Sequence, residues 1–134
     1  MIQYALDTNA VIAILGNRSE RLINRIKHQP GGSVAVSAVV VHELYYGAYK
    51  GRKPDYNLET IRLFMINIEV LDITLEDARV AGEIRAALAS RGTPIGPYDV
   101  LIAGQAKARN LILLTSNTGE FSRVDGLQIQ DWTN

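Results

Sequence analysis

The sequence predicts an α/β fold in which helices cover both faces of a mainly parallel central sheet, giving three layers. Short runs rich in β-branched residues alternate with longer stretches of helical periodicity along the chain. Most of these runs are apolar throughout, which is typical of strands covered on both faces. No repeat or linker interrupts the 134 residues, so residues 1–134 are expected to form one domain.

The predicted strands are bounded by turn residues. In chain order they are Gln3–Leu6, Ser33–Val36, Glu69–Ile73, Leu111–Thr115 and, as an edge strand, Gln128–Gln130. The carboxyl ends of parallel strands meet at one edge of a sheet, where open α/β proteins bind their ligands. Side chains directly after these strands are therefore the first candidates for a functional site.

The helices between the strands are marked by their ends. Ser19 precedes an amphipathic stretch and is predicted to cap it. Thr74 and Asp77 have the spacing of a capping box, and Gly92 followed by Pro94 ends the helix that they begin. Further helices are predicted over residues 10–15, 38–44, 58–68 and 98–109.

Composition excludes several classes of function. The chain has no cysteine, which removes disulfides, zinc–thiolate sites and cysteine nucleophiles. Fourteen basic residues balance fourteen acidic ones, so net charge gives no argument for nucleic acid binding. No apolar run is long enough to span a membrane and the N-terminus does not resemble a signal peptide, so a cytoplasmic protein is expected.

Two acidic residues occupy positions that a plain core does not explain. Asp7 directly follows the first strand, at the ligand-binding edge of the sheet; the alternative is that it only caps the next helix. Glu43 shares a helix face with Val40 and Gly47 and is expected to be buried. A buried glutamate needs a cation, either an arginine or a metal ion.

Two later residues extend this pattern. Asp99 lies in the first turn of a helix, on the same stripe as Ile102, and comes after a rigid turn at Pro94–Pro97. The simpler explanation for Asp99 is a favourable interaction with the helix dipole. Asn117 comes after the fourth strand and offers a carbonyl oxygen and an amide, although an ordinary turn residue is the alternative there.

Together these residues predict a metal-dependent phosphodiester hydrolase. The carboxylates of Asp7, Glu43 and Asp99 would repel one another in one crevice and therefore need a cation. Because the donors are oxygen atoms, the expected ion is Mg²⁺, with Mn²⁺ as a substitute. Such an ion binds phosphate oxygens and activates water for in-line attack. Asn117 is the fourth candidate site residue beside the three metal ligands.

Four ordered segments resemble the motifs of the VapC toxins, which are ribonucleases of the PIN-domain type. The segments are 6–9 (Leu-Asp-Thr-Asn), 43–47 (Glu-Leu-Tyr-Tyr-Gly), 92–103 and 114–121. The ending from Gly126 to Trp132 is similar to the tails of the enteric and Haemophilus-type branch. The resemblance covers essentially the whole chain in order and spacing.

The resemblance implies a role for each candidate residue. Asp7, Glu43 and Asp99 match the acidic triad that holds the metal in that family, and Asn117 stands where many PIN domains have a fourth acid. The implied fold is a PIN-like α/β/α sandwich. The implied activity is that of an endoribonuclease, with a transfer RNA as the favoured target and the anticodon loop of the initiator as the first choice.

The resemblance also implies partners. A homodimer is expected for the chain alone, and a larger hetero-oligomer is expected with a VapB antitoxin that brings a basic side chain towards the acids. The antitoxin is expected on the helix around Leu44–Ala48 and on the helix that begins near Ser19. Those helices contain more apolar residues than packing against one face of the sheet can bury.

Several other polar and aromatic residues receive structural interpretations. His42 faces away from Glu43 on its helix and is predicted to be structural. The tyrosines at 45, 46 and 49 are predicted to pack in the core or in a dimer interface, with base stacking as the alternative. The segment Lys50–Lys53 is predicted to be a solvated loop, with phosphate binding as the alternative.

Three other functions fit parts of the sequence less well. A phosphohydrolase of the haloacid-dehalogenase type would use Asp7 as a nucleophile, but it requires a second aspartate where this chain has Asn9. A phosphate-receiver domain would not require an acid in mid-helix such as Glu43. A PIN-like module that binds RNA or a partner without cutting it would not need all three acids.

Overall fold

A five-stranded sheet with every strand parallel forms the centre of the structure, a computed structural model that describes all residues 1–134. The sheet order is β3-β2-β1-β4-β5, so β1 is central. The prediction of a mainly parallel sheet is confirmed, and the final strand is an edge strand as predicted. The strands are β1 (Tyr4–Leu6), β2 (Val34–Ser37), β3 (Glu69–Leu71), β4 (Ile112–Leu114) and β5 (Gln128–Gln130).

Seven helices connect the strands and pack on the sheet. The chain passes from β1 through β2 to β3 in one direction, and then crosses back to β4 and β5. Because parallel crossovers are right-handed, this reversal places the first four helices on one face and the last three on the other. The helices are α1 (Thr8–Leu15), α2 (Glu20–Lys27), α3 (Ala38–Lys50), α4 (Pro54–Met65), α5 (Leu75–Ser90), α6 (Pro97–Ala108) and α7 (Thr118–Phe121).

The predicted helix caps are present. The Ser19 hydroxyl accepts a hydrogen bond from the backbone N–H of Leu22, at 3.2 Å. Thr74 and Asp77 form both halves of the capping box at the start of α5. Gly92 has a φ of 71°, a conformation that favours glycine and that turns the chain away from α5. None of the helices combines the length and the apolarity that crossing a membrane requires.

The three inner strands supply most of the sheet's contribution to the core. Every residue of β2 is buried, and β1 and β4 are each buried except for a half-buried first residue. The edge strands differ: two residues of β3 and two of β5 are exposed. The expectation of strands covered on both faces therefore holds for the inner three strands. It fails for β3 and β5, because an edge strand has only one neighbour.

The reversal of strand order defines where a ligand fits. β1 pairs with β2 on one side and with β4 on the other. The connections that leave β1 and β4 run in opposite directions, which opens a crevice at the carboxyl ends of these two strands. The residues directly after β1 and β4 are therefore the walls of this crevice.

Candidate acidic active site

Asp7 follows the central strand β1 and is only 3% exposed. Its Oδ1 accepts a hydrogen bond from the backbone N–H of Ala10 at 2.8 Å, so it does cap α1. Its Oδ2 accepts a hydrogen bond from the hydroxyl of Thr115 at 2.5 Å, across the crevice. Burial raises the pKa of Asp7, with a further contribution from Glu43, against the lowering effect of these two hydrogen bonds. Capping alone therefore does not account for this carboxylate.

Asn117 is joined to Asp7 through Thr115. The Thr115 hydroxyl accepts a hydrogen bond from the backbone N–H of Asn117 at 2.9 Å and donates its own to Asp7. The side-chain amide of Asn117 donates to Oε2 of Glu120 at 3.0 Å and does not cap α7. Asn117 is thus part of a polar chain along the crevice, with its amide directed at an acid.

Glu43 lies at the margin of the buried face of α3, which Val40, Leu44 and Ala48 form. These neighbours take the core contacts and leave Glu43 exposed enough to reach solvent, so the prediction of a buried side chain is wrong. Its Oε1 accepts a hydrogen bond from the Thr8 hydroxyl at 2.6 Å. None of the chain's ion pairs includes Glu43, which excludes the arginine alternative.

Asp99 is the third residue of α6 and lies at the same edge of the sheet. Burial, followed by the charges of Glu43, Glu120 and Asp7, raises the pKa of Asp99 to about 6. No arginine or lysine is among the groups that shift the pKa of Asp7 or Asp99. Four carboxylates from separate parts of the chain therefore lie in electrostatic range of one another.

These carboxylates are not gathered into a set of metal ligands in this conformation. No three Asp, Glu or His side chains lie close enough together to hold a metal ion. The donor set nevertheless fits a hard divalent cation, because it consists of oxygen atoms and its negative charge is unbalanced by any side chain. Binding an ion would require these carboxylates to come closer together. The assignment of these three residues as metal ligands stays a prediction.

Three residues of the site were not identified from the sequence. Glu120 adds a fourth acid, and the hydroxyls of Thr8 and Thr115 hold two of the other carboxylates. Thr115 comes directly after β4, and Thr8 comes directly after Asp7 at the end of β1. These positions are the one sequence signal that points to the two threonines. Glu120 carries no such signal, since it lies in a short helix beyond the crevice strands.

The raised pKa of Asp99 predicts how stability depends on pH in protein kept free of divalent metal by a chelator. Between the ordinary value of 3.8 and about 6, the folded protein binds a proton at Asp99 that the unfolded chain does not. Asp99 therefore makes the folded state more stable as pH falls from 7 to 5. In thermal melts, the Tm of the parent should rise relative to the Tm of Asp99→Asn as the pH is lowered from 7 to 5. An identical pH dependence in parent and variant would contradict the raised pKa.

The hydrogen bond from Asn117 to Glu120 predicts an intermediate effect of Asn117→Ala on the RNA cleavage that the sequence resemblance implies. The variant loses both a carbonyl oxygen at the crevice and the donor that orients Glu120. We expect the rate to fall by about 10- to 100-fold, as when a group that orients a metal-site residue is removed. Asp7→Ala, measured in parallel, should abolish cleavage. An alanine variant with the parent's rate and metal dependence would return Asn117 to the role of a turn residue.

Comparisons with known proteins agree with this fold. A sequence profile of the PIN domain matches residues 4–127. The chain is 42% identical over 133 residues to the tRNA(fMet)-specific endonuclease VapC of Shigella flexneri, with 99% of this chain and 100% of that protein covered. It is 38% identical over 132 residues to ribonuclease VapC2 of Haemophilus influenzae, with 98% and 99% covered.

A solved structure shares the fold over its full length. The chain superposes with a TM-score of 0.94 and 40% identity on a chain of the DNA-bound VapBC complex from Salmonella typhimurium, covering 98% of this chain and 99% of that one. These matches confirm both the predicted fold and the predicted resemblance. The chain belongs to the PIN-domain family and, within it, to the VapC group.

Proposed function

We propose that this chain is a toxic endoribonuclease that hydrolyses RNA phosphodiester bonds with Mg²⁺ and is neutralised by a VapB antitoxin. The observation that carries the proposal is the set of carboxylates from Asp7, Glu43, Asp99 and Glu120 at the switch point of a parallel sheet. Relatives that match nearly the whole chain are named ribonucleases or endonucleases, which supports RNA as the substrate.

The chain's own residues supply the frame for this chemistry. Asp7, Glu43 and Asp99 would hold the metal, and Mn²⁺ is a suitable substitute. When bound, the ion balances their charge, binds phosphate oxygens and activates water for attack. Thr115 and the backbone N–H of Ala10 each fix one oxygen of Asp7, whereas Thr8 fixes only Oε1 of Glu43 and leaves its Oε2 without a hydrogen bond.

Transfer RNA is the substrate that we propose, with the initiator as the first candidate. The relatives from Shigella flexneri and Salmonella typhimurium are both named tRNA(fMet)-specific endonucleases, at 42% and 40% identity. A tRNA loop presents unpaired bases and an accessible backbone, which a shallow crevice can reach more readily than a duplex. We place the action of the enzyme in the cytoplasm, where such RNA is found.

The antitoxin is proposed to bind an open groove of about 510 Å³ that lies between α1, α3 and α4. Its apolar wall includes Leu15, Leu44 and Ile61, and it extends to Glu43 at one end. A partner seated there can direct a basic side chain at the acids and block the approach of RNA. The groove coincides with the expected segment from Leu44 to Ala48, whereas no residue of α2, the other helix expected from the sequence, lines it. The VapBC complexes solved from Salmonella typhimurium and Rickettsia felis support this kind of partner.

Controlled expression in bacteria tests the function and the substrate together. Expression of the intact chain without an antitoxin should arrest growth, and co-expression of a matching VapB should restore it. Sequencing of RNA ends soon after induction should find new 5′ ends concentrated in one tRNA. A version carrying Asp7→Ala should permit growth and give no new ends.

Two results would count against the proposal. High yield of the intact chain alone with no growth cost would end the toxin assignment, even though the fold is that of the family. Growth arrest with unchanged RNA ends would leave a toxin with a different target. The oligomeric states, which we propose to be a homodimer alone and a larger hetero-oligomer with VapB, are measured by light scattering on the purified samples.

A further inference from the structure

One face of α3 carries an exposed aromatic stripe, which consists of His42, Tyr45, Tyr46 and Tyr49. These residues are spaced i, i+3, i+4 and i+7, so they share one side of the helix. Tyr46 is 62% exposed and Tyr49 66% exposed, and Tyr45 is also exposed. The expectation that these tyrosines pack in the core is therefore wrong, and packing in a dimer interface stays a prediction. Exposed tyrosines in a row on one helix face usually mark a binding surface.

The aromatic stripe begins at the acidic crevice. His42 directly precedes Glu43 in the chain, and Tyr98 directly precedes Asp99. The rings of His42 and Tyr98 meet edge to face, with centroids 5.5 Å apart. These two paired rings thus belong to the chain neighbours of two candidate metal ligands, and Tyr98 remains 46% exposed.

The other end of the aromatic stripe is basic. Lys50, Arg52 and Lys53 lie at the end of α3 and in the turn after it, and none of them forms an ion pair. The ammonium group of Lys50 lies 5.5 Å from the ring centroid of Tyr46. From His42 to Tyr49 the helix rises by about 10 Å, which is a distance that a few nucleotides span.

The combination of exposed aromatic rings and unpaired cations is suited to binding a single strand of RNA. Without a bound ion the crevice is acidic and repels phosphates, so residues outside it have to contribute to the binding of RNA. Unpaired bases stack on aromatic rings with little regard to sequence, and unpaired cations attract the backbone. We propose that the aromatic stripe binds single-stranded RNA on one side of the cleaved bond, with bases on the rings and phosphates at Lys50, Arg52 and Lys53. This inference rests on the proposed ribonuclease function.

A second copy of the chain is a less suitable occupant of the stripe. Interface cores are depleted of charged residues, and of lysine in particular. A copy packed over the whole stripe would also lie against Lys50, Arg52 and Lys53. The proposed antitoxin groove lies on another side of α3, where Leu44 and Ala48 face α1 and α4.

The test measures binding of a short single-stranded RNA that carries one 2-aminopurine, in chelator so that no cleavage occurs. Stacking quenches 2-aminopurine, so the probe reports contact with a ring as well as affinity. Tyr46→Leu, Tyr49→Leu and Tyr98→Leu should each raise Kd by about 5-fold or more and reduce the quench. Tyr46→Phe and Tyr49→Phe keep the ring and should bind like the parent. The same RNA in a duplex should be insensitive to all five changes.

The basic end has its own matched pair of variants. Lys53→Gln should lower the salt dependence of log Kd by about 0.7, the value for one phosphate contact on a single strand. Arg85→Gln, which removes an exposed cation from α5 on the opposite face, should leave the slope unchanged. Equal slopes in parent and Lys53→Gln would remove the phosphate contact from the proposal.

Light scattering and RNA cleavage in Mg²⁺ on the same samples separate the remaining outcomes. If the leucine variants bind RNA like the parent, or if every loss of affinity accompanies dissociation of a dimer, the stripe is not an RNA site. If only antitoxin binding changes, the stripe belongs to that interface and the proposal is overturned. If the parent cuts no RNA at all, the proposed function fails; if it cuts and the stripe variants bind normally, only this inference fails.

Discussion

Asp7→Asn should lower the rate of RNA cleavage by about 10³-fold or more while the protein stays folded. The change removes one negative charge from the proposed metal site, and groups that stabilise charge in a transition state have effects of this order. Asparagine keeps the side-chain oxygen that accepts the hydrogen bond from Ala10, so α1 remains capped. Burial raises the pKa of Asp7, so replacing its buried carboxylate by a neutral amide should not lower Tm.

The matched control is Asp125→Asn, the same chemical change at an exposed ion pair with Arg91. That variant should cleave RNA at the parent's rate. Rates are measured by single-turnover cleavage of a labelled tRNA in Mg²⁺, with Tm taken on the same samples. An Asp7→Asn protein that keeps half or more of the activity would remove Asp7 from the metal site.

Among the changes considered, Asp77→Ala should cause the largest loss of stability. It changes no residue of the crevice. Asp77 is 2% exposed and joins α5 to the end of α6. Its Oδ2 accepts hydrogen bonds from Arg109 at 3.0 Å and from Gln105 at 3.2 Å, and it completes the capping box with Thr74 at 3.0 Å. The side chain of Arg109 is 31% exposed and stays hydrated without Asp77, so loss of the buried hydrogen bonds and of the cap should cost about 2 kcal/mol, which corresponds to a fall in Tm of roughly 7 °C.

The neighbouring Glu76 provides the control, since Glu76→Ala breaks an exposed ion pair in the same helical turn. Its Tm should stay close to the parent's, because exposed pairs contribute little. Burial on its own raises the pKa of Asp77, but the hydrogen bonds from Arg109, Thr74 and Gln105 outweigh it and hold the pKa below its ordinary value of 3.8. The stability that Asp77 contributes is therefore present above pH 3.8 and is lost in stronger acid, so the Tm difference should shrink there. A difference that persists unchanged at low pH would contradict this account of the network.

The elements that local pattern determines were predicted well from the sequence. The apolar runs located the strands to within a residue or two, and neighbouring residues were enough to identify the caps at Ser19 and Thr74. Asp7 could be placed at the crevice because strand ends in a parallel sheet share one edge. The strands and the caps depend on residues only a few positions apart in the chain.

The contacts between distant segments could not be predicted in the same way. Thr115 and Asp7 are 108 positions apart in the chain, and only the pairing of β1 with β4 brings them together. The burial of Glu43 was overestimated. Helix periodicity shows on which side of α3 a residue lies, but it does not show how much of that side α1 and α4 cover. The pairing of His42 with Tyr98 depends in the same way on how α3 meets α6.

Cleavage of a labelled tRNA against the concentration of free divalent metal tests the central claim most directly. The purified chain should be inactive in chelator, and Mg²⁺ or Mn²⁺ should restore cleavage in a saturable way, whereas Asp99→Asn should stay inactive at every concentration. This result would establish that the carboxylates at the carboxyl edge of the sheet act through a bound cation. Full cleavage by the parent chain in excess chelator would contradict the account.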